Sequence, residues 1–263
     1  MLDAYPDNKL ARVLLWIFGA LILAFLVLPT LIVVPISFSG SDMLEFPPRT
    51  LSLRWYQNFF GSADWMAGLR TSLILASATA AVAVPVAFLT CLAMDRLGGR
   101  LARGIYTLAV VPSVVPGILL AIGLFFVLAK LRLLGTLGGV LIGHVVLAIP
   151  VAVIVLTPAV RRFDWAQLQA ARSLGAGWSA GILGIMLPQM TLSLVSAALM
   201  AFLTSLDEAV ISIFVSSGAN TTLPKLMFIS LRDQIDPTIA AISTLWTGLV
   251  VAVVLIFTAR QKP

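Results

Sequence analysis

The chain has 263 residues, of which 60% are hydrophobic and only 11% charged, with 17 Lys and Arg against 11 Asp and Glu for a formal net charge of +6. So little polar surface cannot cover a globule of this length, which excludes an ordinary water-soluble domain. The positive charge needs no nucleic acid, because anionic headgroups at a membrane surface account for it.

Several segments exceed the roughly 18 apolar residues that cross a hydrocarbon core, where only helices satisfy their own backbone. The sequence therefore predicts an all-α polytopic membrane protein with six spans, at about 12–36, 69–94, 103–129, 136–159, 188–216 and 238–259. The first stretch runs too long for a secretory signal and lacks a small-residue cleavage site, so it is read as a retained span. With no linker or low-complexity tract, 1–263 reads as a single transmembrane domain.

Between the first two spans, 37–68 forms a long excursion containing Pro47-Pro48 and the aromatic stretch Leu53–Phe60, suited to a membrane interface. Ten of the seventeen basic residues fall in one set of loops: Lys9, Arg12, Arg96, Arg100, Arg103, Arg161, Arg162, Arg172, Arg260 and Lys262. The positive-inside rule then puts both termini in the cytoplasm. Cys91 and His144 are the single cysteine and histidine, so neither a disulfide framework nor a paired His/Cys metal site can be built. A lone imidazole in an apolar helix is expected to hydrogen-bond to a neighbouring helix. There is no G-x-x-x-x-G-K-[ST] phosphate loop, so ATP is not expected to bind here, and no catalytic set can be assembled.

The segment 160–187 differs in kind. It opens with Arg161-Arg162-Phe163-Asp164, continues through the alanine-rich 165–174, turns at Gly175-Ala176-Gly177 and resumes as 178–186 before Pro188. This predicts helix, glycine turn, helix, with small residues that allow close approach and a glycine free to take positive φ at a helix end. An interfacial hairpin and a docking loop both fit that pattern.

In the fifth span, Asp207 and Glu208 place adjacent carboxylates in an apolar window, which is costly in lipid unless they face protein or a wet cavity. They are read either as counter-charges for a cationic solute or as a pair that stabilises a helix break or meets a basic residue of a partner. Neighbours on a helix point about 100° apart, so at most one faces a pore directly.

The register Ala170, Ala171, Gly175, Ile185, Leu187, Pro188 resembles the EAA motif of importer permeases of the ATP-binding-cassette class, with Gln169 where that family usually has Glu. The resemblance implies that 160–187 carries a coupling helix seated in a cleft of an ATPase subunit, and Gln169 removes one carboxylate from that contact. The runs Phe202–Ser212, Thr222-Leu223-Pro224 and Ile235–Leu245, with Leu53–Tyr56, are similar to the polyamine-type branch, although permeases for opines, amino acids and phosphonates share the overall look. A bacterial inner-membrane permease of this kind is expected to be non-catalytic. Its expected partners are a second, homologous permease, two ATPase subunits that hold ATP and Mg, an extracytoplasmic substrate-binding protein and lipid. An ion-gradient-driven carrier using Asp207 and Glu208 is the competing reading.

Overall fold

The computed structural model describes residues 9–233 and 236–259. Ile235, Arg260 and Lys262 lie outside the described residues. The described chain is helical without strands: α1 (Lys9–Ser37), α2 (Arg54–Gly61), α3 (Ala63–Leu97), α4 (Gly99–Val114), α5 (Gly117–Lys130), α6 (Leu137–Arg162), α7 (Ala166–Ser173), α8 (Trp178–Gly181), a π-helical turn (Ile182–Met186), α9 (Leu187–Gln189), α10 (Thr191–Leu206), α11 (Val210–Val215), α12 (Leu223–Asp233) and α13 (Thr238–Ala259).

Among the described residues three helices, α1, α3 and α6, are long and apolar enough to cross a membrane unbroken. At 1.5 Å per residue, the 35 residues of α3 reach about 52 Å, well beyond a hydrocarbon core. The expected sixth span coincides with α13. Two expected spans are not continuous. That over 103–129 bends by 103° between α4 and α5. Pro116 supplies no N–H and drives Val115 to ψ 132°, so the helix stops and restarts. The expected span over 188–216 bends by 77° between 178–189 and 191–206 and opens again between α10 and α11. Pro29, Pro35, Pro85, Pro112, Pro150 and Pro158 stay inside helices.

The chain divides into two compact units, residues 1–66 with 229–263, and residues 67–228. In the first, α13 packs on α1 and α2. Asn58 Nδ2 donates to Thr238 Oγ1 at 2.8 Å, and Ser37 Oγ and Tyr56 OH share a 2.7 Å hydrogen bond. The aromatic stretch of the long excursion is thus the short helix α2, with Phe59 buried against Trp65.

In the second unit α6 is the central helix, packed on α4, α10 and α11. Its start is fixed by Thr136, whose hydroxyl accepts from Gly139 N at 3.0 Å. Gly139 is required there, since a Cβ would stand 2.1 Å from the Leu133 carbonyl oxygen. Ala83, Ala148 and Ala201, from α3, α6 and α10, form a fully buried layer of small side chains. In lipid, where apolar transfer gives no drive between helices, such close backbone approach is a main source of cohesion. A larger cluster around Leu156, Val160, Met186 and Met190 lies toward the 160–187 segment, and a second around Leu128, Val140 and Ile211 lies toward the other end of α6.

Candidate functional site

Two places in the second unit interrupt the helical pattern, and each has its own cause. In the 160–187 segment, α7 ends in a Schellman turn. Ala176 N donates to Ala171 O at 3.0 Å and Gly175 N to Arg172 O at 2.9 Å, with Gly175 at φ +90°. A Cβ at Gly175 would meet nothing within 4 Å, so the glycine answers to conformation and not to space. Leu168 is buried against Gly181, and Gln189 Nε2 donates to Gln167 Oε1 at 2.6 Å. The two short helices therefore lock together.

Ahead of Pro188 the helix widens into the π turn. Proline at 188 cannot bond the Gly184 carbonyl and its ring crowds that oxygen, and an added residue in the turn relieves both problems. Ile185 and Leu187 are half-buried against the larger cluster, whereas Gln169, Ala170 and Gly175 are exposed, as is Pro188. Ala171 is half-buried. Gln169, Ala170 and Gly175 thus form an open small-residue surface, while Ile185 and Leu187 fasten it from behind.

The second interruption is the gap between α10 and α11. Asp207 terminates α10 and is exposed; Glu208 is half-buried and its Oε1 accepts from Ile211 N at 2.7 Å, closing the first turn of α11. This satisfies a backbone donor that a helix start leaves without a partner. The adjacent carboxylates therefore have different surroundings: Glu208 supports the break and Asp207 projects from it.

His144 staples the same break from behind. It is 1% exposed, with Nδ1 2.7 Å from Ser205 Oγ and Nε2 3.1 Å from Ser212 Oγ, one hydroxyl on each side of the gap. Ser205 also donates to Thr79 Oγ1 at 3.2 Å, bringing in α3. Beyond the break, Lys225 Nζ donates to the Ile213 and Ser216 carbonyls at 3.1 and 2.5 Å, satisfying the orphan end of α11. Burial at that position holds the Lys225 ammonium below its ordinary pKa.

The two groups of residues are not brought together. The sixteen residues of α10 separate them by about 24 Å of helix. Sequence reasoning named His144 and held Ser205 and Ser212 only as part of the run Phe202–Ser212, without a role, and it did not name Thr79, because hydroxyls in an apolar helix are common and only the fold shows which ones converge.

Spans broken by residues with a backbone reason to be there, an acid at one break and a small-residue helix pair outside the long helices define a helical membrane-transport subunit. Comparison with known proteins makes this specific. Residues 83–261 match the family model of the binding-protein-dependent transport system inner membrane component. The putrescine transport system permease protein PotI of Escherichia coli K12 is 31% identical over 235 residues, covering 86% of this chain and 83% of that protein. The spermidine/putrescine transport system permease protein PotC of Haemophilus influenzae is 26% identical over 239 residues, 91% of this chain and 93% of that one. Among solved structures, a bacterial ABC transporter involved in import of the acidic polysaccharide alginate superimposes with a TM-score of 0.70 at 12% identity, covering 98% and 99% of the two chains. An alginate transporter in complex with its alginate pentasaccharide-bound periplasmic protein gives 0.71 at 14% identity, over 94% and 92%. The chain belongs to the binding-protein-dependent transport system inner membrane component family. It is a multi-pass membrane protein and the permease subunit of an ABC importer, and the comparisons lend no support to an ion-gradient-driven carrier.

Proposed function

We propose that this permease forms half of the pathway for a polyamine, or a related amine or amino-acid compound, across the bacterial inner membrane. The observation that carries the substrate class is the match, over most of both chains, to permeases named for spermidine and putrescine. The exposed carboxylate of Asp207 supports it, since an acid at a helix break offers a counter-charge to a passing ammonium.

The rest of the assembly follows from this reading. A second, homologous permease completes the pathway and an extracytoplasmic binding protein delivers the solute. Both termini and the 160–187 segment are cytoplasmic. Two ATPase subunits, which hold the ATP and Mg, dock on the exposed face of Gln169, Ala170 and Gly175. Gln169 there offers an amide in place of a carboxylate, which preserves hydrogen bonding and removes a salt bridge. Nucleotide shifts the balance between inward-open and outward-open states by binding one of them more tightly.

The test is to purify the chain with its genomic neighbours in mild detergent and assay ATP hydrolysis with candidate solutes on the binding protein. Co-purification of an ATPase, with hydrolysis stimulated by polyamine, is the expected result. A chain that runs alone and moves solute without nucleotide overturns the reading; stimulation by another solute class overturns only the substrate.

A further inference from the structure

Arg96, in the last turn of α3, reaches across to the 160–187 segment beside Gln169 of the docking face. Its guanidinium carbon lies 3.8 Å from the ring centroid of Trp178 and 5.1 Å from that of Trp165. The two indoles are nearly parallel, 6° apart with centroids separated by 6.1 Å, and Phe163 meets Trp165 edge-on at 5.4 Å. No carboxylate among the described residues forms an ion pair with Arg96, so the aromatic faces are what receive its charge. Trp165 immediately precedes α7 and Trp178 opens α8, so both helices of the segment present a ring to the same cation.

The connectivity gives this contact its meaning. Residues 160–187 continue covalently into α6 on one side and α10 on the other, and both must follow any movement of the segment. α3 is not joined to it by the chain and follows only through packing. The apolar part of that packing, the cluster that holds Leu92, Met94 and Leu168, is non-directional and does not by itself fix an orientation. A planar guanidinium over an indole face is directional, and Arg is the side chain that both stacks and keeps its charge.

Building on the transport reading above, we infer that Arg96 is the strut that makes α3 move with the 160–187 segment. It is a positioning residue for coupling: it lines one cavity with Gln169 of the docking face, and its role is to tie α3 to the segment behind that face. In the intact complex, it converts a displacement of α7 and α8 into a displacement of the span that carries Thr79 and Ala83.

The experiment uses the complete transporter, reconstituted with its ATPase, second permease and binding protein, and measures solute moved per ATP hydrolysed. Arg96→Ala is expected to assemble normally and to keep basal hydrolysis within about twofold, while solute per ATP falls by about two- to fivefold, the scale of a cation–π contact made by an exposed side chain. Arg96→Lys should recover part of the loss, because an ammonium keeps the attraction to an indole face but not the planar stacking. Trp178→Leu should match Arg96→Ala, with the double variant no worse than either single one. It also carries the test if Arg96→Ala fails to insert. Solute per ATP at the wild-type level in Arg96→Ala and Trp178→Leu overturns the strut alone, as does an Arg96→Lys variant no better than Arg96→Ala or loss of the ATPase from the Arg96→Ala complex. A wild-type chain that carries no ATPase overturns the transport reading, and the strut with it.

Discussion

The bend at Met190 and the gap at 207–209 both interrupt the stretch that the sequence presents as one span, yet they are made differently. The first is written into the backbone: Pro188 removes a donor, the π turn absorbs the strain, and apolar packing by Ile185 and Leu187 holds the result. The second contains no proline and persists because side chains satisfy its loose ends, through Glu208, Ser205, Ser212 and His144. A break made by the backbone tolerates changes around it, whereas one made by side chains depends on each of them.

Substitutions can test that contrast. His144→Ala should have the largest effect, destabilising by about 3 kcal/mol, since it leaves a cavity and strips two buried hydroxyls of a partner. The midpoint of thermal unfolding in detergent measures it, and an unchanged midpoint would mean that the gap does not depend on the staple. Gly139→Ala, which drives a Cβ into the Leu133 carbonyl, should cost about 2 kcal/mol in the same assay. Gly175→Val is expected to cost about 1–2 kcal/mol from its φ alone, with Gly175→Asn milder because Asn tolerates the left-handed region. Membrane insertion should be intact and coupled uptake reduced; normal uptake would count against the turn as part of the docking surface. Asp207→Asn should change stability by no more than about 0.5 kcal/mol, being exposed, yet lower uptake of a cationic solute by the assembled transporter. Normal uptake in Asp207→Asn would remove the counter-charge role.

The sequence made some of this plain and hid the rest for physical reasons. The helix, glycine turn and helix of the 160–187 segment were legible because Gly175 answers a local backbone need, and α13 because its apolar run is uninterrupted. The bend at Pro116 was not: six other prolines stay within helices in the described chain, and nothing local distinguishes the one that breaks its helix. Adjacency suggested that Asp207 and Glu208 would face differently, but which one turns inward depends on the Ile211 amide. His144 was expected to find a hydrogen-bond partner, though its bridging of both sides of a gap emerges only once α6, α10 and α11 are packed. Arg96, Trp165 and Trp178 lie far apart in the chain, and no periodicity links them.

The alanine layer of Ala83, Ala148 and Ala201 carries a mechanical consequence. Three helices meet there through small, fully buried side chains with Val84 and Ile149 packed alongside, so a larger side chain at any of the three would wedge them apart. Ala201 lies eleven residues from Met190 and six from Asp207, about 16 Å and 9 Å along the helix, so such a wedge would sit between the two interruptions and nearer the acid.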